Sequence, residues 1–184
     1  RRQRQMCIRD SYEIEINGKK RKVIGAGNKA TMSAGIVFAH YKWPLYDAIE
    51  KVREAERKAK DVYGRNAFCI TFVKRSGQIL TAGGKWDFVG DLAYIAKAIV
   101  NRRISHRFIY DFMNISEILK GDMLKAEVKR LIKRRKGEAD EEEVKEIQGK
   151  LSCLIEKYEA QGLPVKELGN ALKILYDACR GEER

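Results

Sequence analysis

Groups able to handle a phosphorylated ligand concentrate in two short stretches. The first, SAGIVFAHYKWPL at residues 33–45, carries an imidazole, a phenol, an ammonium and an indole at four consecutive positions, His40 to Trp43. Tyr41 and Trp43 suit stacking on a base, the Lys42 ammonium suits phosphate, and His40 suits a ribose hydroxyl. The competing use is mechanical: Tyr41 and Trp43 as a wedge against a neighbouring domain, since aromatic side chains dominate interfaces. Ser33 offers a hydroxyl to a base or ribose, and Gly35, with no Cβ, lets a ligand or another backbone come close. The second stretch, AKDVYGRN at 59–66, places Lys60 just before Gly64-Arg65-Asn66. Lys60 either faces a ligand or pairs with Glu56 one turn back. Arg65 and Asn66 either fix a helix-to-strand turn or touch ligand. A third group, Lys129, Arg130, Lys133, Arg134, Arg135 and Lys136, closes a helix. It is a solvated face suited to a helix C-terminus, or a contact for RNA backbone or an acidic neighbouring subunit.

These groups need elements to hold them. Residues 31–41 read as a strand that is apolar on both faces, which predicts the central strand of a covered sheet. Pro44 opens a helix over about 44–62 whose Leu45, Ala48, Ile49, Val52, Ala55 and Ala59 form one buried stripe. Asp47–Lys51, Glu54–Lys58 and Glu56–Lys60 are its i,i+4 pairs. Gly64 stops it, AFCITFV at 67–73 is a second buried strand, and Ser76-Gly77 turns the chain into a short hairpin. Upstream, residues 12–24 read as a hairpin about Asn17-Gly18, with Glu13 and Glu15 on its wet face. GAGNKAT at 25–31 precedes a strand rather than a helix, so the dinucleotide-binding reading fails on context.

From Trp86 the period turns helical. Phe88, Leu92, Ile95, Ala96 and Ile99 mark one helix, with a domain boundary expected near Gly83-Gly84. Asn114 with Glu117 predicts a capping box opening the next, which ends in KRLIKRRKG. EADEEEVKE opens a third, and Gly162 and Pro164 precede a last helix over about 165–179. His106 reads as structural.

The net charge of +12 favours a polyanionic partner. The four cysteines are far apart, which argues against zinc; Cys69 and Cys153 read as reduced core thiols of a cytosolic protein. No run approaches ~18 apolar residues, so no membrane partner is expected and the location is read as cytoplasmic. Residues 1–11, RRQRQMCIRDS, read as a non-native, adapter-derived tail, with the true gene beginning upstream.

Three fragments in fixed order, TMSAGIVFAHYKWPL, AERKAKDVYGRNAF and KRSGQ, resemble the end of a nucleotide-cyclase palm: a Ser-x-Gly strand, a helix ending in Ala-Lys, and a Gly-Arg-Asn turn. With AHYKWPL and a helical tail containing ISHRFIYDF, the chain resembles the large cyclase-like subunit of type III CRISPR effector complexes, Cmr subtype. That resemblance implies an α+β fold: a partial ferredoxin-like, GGDEF-like palm over 12–84, then an all-helical bundle over 85–184. It implies ATP as ligand, joined into cyclic oligoadenylates by attack of a 3′ hydroxyl on an α-phosphate with Mg²⁺ or Mn²⁺. Lys60 would reach the triphosphate, with Ser33, Gly35, His40, Lys42, Arg65 and Asn66 around the nucleotide. The implied partners are other effector subunits, guide RNA and target RNA. The family's Gly-Gly-Asp-Asp hairpin, which precedes the Ser-x-Gly strand, has no match here, nor does the nuclease domain of many relatives. A C-terminal fragment of a longer gene, inactive by itself, is therefore expected. Two alternatives stand: a catalytically silent scaffold that binds RNA or protein, and a truncated diguanylate cyclase, against which the long helical tail argues.

Overall fold

The computed structural model describes residues 10–16, 19–25, 31–74 and 76–181, with side chains from 31 to 179 apart from 75. The chain divides into two compact units between Met32 and Ser33. In the first, β1 (Asp10–Ile16) pairs antiparallel with β2 (Lys19–Gly25). Ile16 opposite Lys19 leaves two residues for the connection, as a hairpin requires; Asn17 and Gly18 themselves lie outside the described residues, as do 26–30 of the glycine-containing loop. Glu13 stands across from Lys22 and Glu15 from Lys20 in the backbone register. β1 begins inside the segment read as a foreign tail.

The second unit opens with β3 (Ala34–Ala39), α1 (Leu45–Asp61), β4 (Ala67–Val73) and β5 (Ile79–Lys85). The sheet order is β3-β4-β5, parallel between β3 and β4 and antiparallel between β4 and β5. The strand expected at the centre of the sheet is thus at its edge, and β4 is central. Ile36 and Phe38 are accordingly 38% and 41% exposed. The stripe expected on α1 is buried only at Ala55 and Ala59; Leu45, Ile49 and Val52 are open. Among the described residues no strand pairs with the outer edge of β3, so half of the helix's apolar face lacks cover. Of the three i,i+4 pairs, Glu56–Lys60 forms, while Lys51 turns to Glu54 instead.

Gly35 explains how α1 sits. A Cβ there would lie 2.4 Å from the Glu56 nitrogen and 2.7 Å from the Val52 carbonyl oxygen. The close approach permitted by this glycine is taken by helix backbone, not by ligand.

Gly83 and Gly84, near the expected boundary, lie within β5. After a short 3₁₀ turn at Trp86–Phe88 come α2 (Val89–Val100), α3 (Arg107–Ile118), α4 (Gly121–Arg134), α5 (Glu141–Ala160) and α6 (Lys166–Gly181). Phe88, Leu92, Ile95, Ala96 and Ile99 are all buried, as their spacing predicts. The core is continuous from Ala55 and Cys69 to Tyr158 and Leu172. Helices also close the free side of β5: Tyr158 Oη donates to the Gly83 carbonyl at 2.7 Å and Asn170 Nδ2 to the Thr81 carbonyl at 3.3 Å. Carbonyls two residues apart on a strand point the same way, so the edge of β5 is satisfied by side chains rather than by another strand.

Asn114 and Glu117 lie inside α3 and cap nothing. The capping box belongs to α5, where Asp140 Oδ1 accepts from the Glu143 N–H at 2.7 Å and Glu143 Oε2 accepts from the Asp140 N–H at 3.2 Å. The acidic EADEEE run was the correct signal and Asn-x-x-Glu a misleading one. Cys69 is buried on β4, but Cys153 is exposed on α5.

Replacing Gly35 by Ala should destabilise the fold by roughly 1–3 kcal/mol, since the methyl meets rigid helix backbone. Gly90→Ala, where nothing lies within 4 Å, should not destabilise it. Urea denaturation of both variants checks the difference. Burial pushes the Cys69 thiol up to about 11 and raises the Tyr158 phenol. Burial first, then the hydrogen bond to Glu167, raises Tyr63. Each group keeps its proton more tightly folded than unfolded. Their contribution is complete below pH 9.0, the ordinary thiol value, and is lost as the pH rises beyond it. The urea midpoint should fall as pH climbs above about 9, and Tyr158→Phe should flatten that fall.

Candidate nucleotide-binding site

The β3–α1–β4 unit decides which sequence-selected residues can act together. β3 and β4 run parallel, so the start of β3 and the α1-to-β4 connection lie at the same end of the sheet, with Ala34 opposite Phe68. That end gathers Ser33, Lys60, Gly64, Arg65 and Asn66. His40 and Lys42 follow the other end of β3. The five steps from Ala34 to Ala39 separate the two ends by about 17 Å. Six of the seven residues therefore form two groups, one at each end of the strand, and Gly35 belongs to neither because α1 covers it.

At the Ser33 end, the turn is built by conformation. Gly64, Arg65 and Asn66 have φ of 71°, 58° and 45°, three consecutive left-handed residues of which two carry side chains. The Arg65 N–H returns to the Ala59 carbonyl at 3.2 Å and closes the helix. Lys85, the last residue of β5, donates from Nζ to the carbonyls of Gly64 at 2.8 Å and Arg65 at 2.6 Å. Sequence reading missed Lys85 because its role depends on β5 lying against β4, which places Lys85 opposite Ala67. Lys60 is exposed and its Nζ pairs with Glu56 Oε1 at 2.6 Å, which holds the Glu56 carboxyl below its ordinary value. This surface pair breaks easily, so it leaves the ammonium available to a stronger anion.

At the far end, the Lys42 N–H donates to His40 Nδ1 at 3.2 Å, and the imidazole lies 4.5 Å from the Tyr41 ring. Tyr41 is 84% exposed. The indole N–H of Trp43 is shut off from water and has no acceptor among the described residues.

The basic run at the end of α4 also divides. Arg135 is held by Asp111 of α3, with Nη2 at 2.6 Å and Nε at 2.7 Å from the same carboxylate oxygen, and so ties two helices together. Arg130 pairs with Glu127. Lys129, Lys133, Arg134 and Lys136 are exposed and have no carboxylate partner among the described residues.

A family model described as Cas10/Cmr2, second palm domain, matches residues 6–69. The match runs through β3, α1 and the opening of β4, the segment that carries Ser33, Lys60, Arg65 and Asn66. The CRISPR system Cmr subunit Cmr2 of Pyrococcus furiosus is 33% identical over 158 residues, 80% of this chain. The chain belongs to the Cas10/Cmr2 family. It spans 18% of the length of that Cmr2 relative. The palm match begins at residue 6 and β1 at Asp10, within the 1–11 segment read as a non-native tail. Family membership also decides against a truncated diguanylate cyclase. No helix among the described residues is long and apolar enough to cross a membrane.

Lys85→Met should cost about 1 kcal/mol by freeing two carbonyls and loosening the turn. Thermal denaturation would show the loss, and faster amide exchange at residues 64–66 would place it in the turn.

Proposed function

We propose that this chain is a nucleotide-binding palm joined to a helical scaffold, working within the large subunit of a type III CRISPR effector of the Cmr type. The observation that supports the proposal is that the start of β3, next to Ser33, and the connection from α1 to β4, which follows Lys60 and carries Arg65 and Asn66, lie at one end of the parallel β3–β4 pair. An ammonium on an easily broken surface pair, beside a strand end, fits the triphosphate of ATP. In the whole protein that ATP would be joined into cyclic oligoadenylates by a GGDEF-like palm. The two metals of that chemistry need clustered carboxylates, and among the described residues no three His, Cys, Asp or Glu side chains stand together. The residues here therefore fit the nucleotide and not the metals. They hold and orient phosphate and ribose, and the charge-neutralising ions belong to acidic residues elsewhere in the longer protein. The open edge of β3, with Ile36 and Phe38 and the uncovered half of α1, is where the rest of such a palm would pack. The other effector subunits, guide RNA and target RNA are its expected neighbours, in a soluble cytoplasmic assembly.

A scaffold without nucleotide is the second reading, favoured by Glu56 holding Lys60 and by Lys85 accounting for the turn. ATP titration of the intact subunit distinguishes them. Lys60→Ala and Arg65→Gly should each weaken ATP by about tenfold, while His40→Ala, at the other end of β3, should change it by less than about twofold. Arg65→Gly is chosen because glycine accepts φ 58° without strain. Equal affinity in all variants would favour the scaffold. The 184-residue chain itself, given ATP and Mg²⁺ or Mn²⁺, should form no cyclic product.

A further inference from the structure

A second concave surface lies in the helical part, away from β3 and its two ends. It is walled by the end of α2 (Ile99, Val100), the α2–α3 connection (Arg102, Ile104, Ser105, His106), Gly137 before α5, and the end of α6 (Tyr176, Cys179). Its volume is about 550 Å³, within the range that accepts a nucleotide-sized ligand.

Two connections are bound together to form its rim. The Ser105 N–H donates to the Arg135 carbonyl at 2.9 Å, Gly137 to Arg103 at 2.8 Å and Glu138 to Arg102 at 3.2 Å. Gly137 must be glycine, because a Cβ would stand 2.1 Å from the Arg102 carbonyl oxygen. Arg102 is held at φ 59°, a conformation that glycine or asparagine adopts more readily than arginine. A local rule is broken to keep a guanidinium there.

Arg102 is the cation in the wall, and Arg107 and Lys136 adjoin the wall residues His106 and Gly137 in sequence. Arg103 pairs with Glu143 and Arg135 with Asp111, but Arg102, Arg107 and Lys136 have no carboxylate partner among the described residues. Glu138, beside Gly137, is the exposed acid nearest in sequence, and Asp140 is committed to capping α5. No acid occupies the first turn of α3. Beside these charges the exposed His106 imidazole lies parallel to the Tyr176 ring, 5.7 Å apart and 7° from coplanar. A planar ring stack next to free guanidinium and ammonium groups matches a base and its flanking phosphates better than it matches acidic side chains, which have no flat apolar face.

We propose that this cleft binds one nucleotide unit of single-stranded RNA, the base packing on His106 and Tyr176 and the phosphates meeting Arg102, Arg107 and Lys136. The proposal is independent of the ATP reading, which concerns the other part of the chain.

Anisotropy of a short labelled oligouridylate with the 184-residue chain tests it. His106→Ala should weaken binding about tenfold through lost stacking, and should abolish the difference between a normal and an abasic oligonucleotide. Arg102→Gly, which relieves the backbone while removing the charge, should weaken binding and lower the salt slope by about 0.7. Lys145→Gln, on the exposed side of α5, should change affinity by less than about twofold. A 4-thiouridine oligonucleotide should crosslink to peptides containing His106 or Tyr176. Unchanged affinity in both cleft variants, or crosslinks confined elsewhere, would overturn the proposal. So would a poly-glutamate peptide that binds and loses affinity in His106→Ala while RNA does not, which would assign the cleft to an acidic protein.

Discussion

Two backbone approaches around β5 hold this molecule together. A Cβ on Gly83 would come within 2.3 Å of the Tyr63 ring and 2.5 Å of the Phe68 carbonyl oxygen; one on Gly84 would come within 2.6 Å of the Phe88 ring. The strand is thus packed by aromatic rings on both faces where other residues would hold them off. Tyr158, its ring tilted against Phe88 at 5.3 Å, donates to the Gly83 carbonyl, and Tyr63 donates to Glu167 of α6 at 2.6 Å. Through these contacts the end of α1, the sheet and the last helix share one core. Three strands and six helices that look in sequence like two modules fold as one compact unit from Ser33 onward.

That arrangement fixes the candidate site. Tyr63 immediately precedes the Gly64-Arg65-Asn66 turn, so anchoring its ring on β5 sets where the turn leaves the helix. Lys85 then pins the two carbonyls from the last position of the same strand. Gly35 sets how closely α1 lies on β3. Lys60 and Ser33 lie toward the same end of the sheet because β3 and β4 run parallel with α1 between them. At the opposite end Tyr41, Leu45 and Tyr46 are open, and Trp43 keeps a donor with no acceptor among the described residues. An end rich in rings and short of partners has the character of an interface.

Much of the fold is legible in the residues because its signals are local. The period of Phe88, Leu92, Ile95, Ala96 and Ile99, the acidic opening of α5, and the Gly64 and Gly162 stops each need only their own neighbours. What could not be read depends on cover from elsewhere. The apolar run in β3 has the composition of a central strand, yet among the described residues no strand pairs with its outer side. The same shortage leaves half of the α1 stripe bare, although its spacing is correct. Asn114 with Glu117 has the capping pattern but sits in mid-helix, where the pattern has no orphan amides to satisfy. At the site, residue types pointed to phosphate and base chemistry, but only strand direction could show that His40 and Lys42 stand apart from Lys60. Lys85, Arg102 and Tyr176 carry no signal of their own; each acquires its position from an element distant in sequence.

Native-state hydrogen exchange on the chain measures the central claim, that sheet and helices are one cooperative body closed on β5. Amides of β4, β5, α2 and α6 should open together, with a single free energy equal to that of global unfolding. Independent opening of β4 and β5, while α2 and α6 remain protected, would contradict it and restore two separate modules.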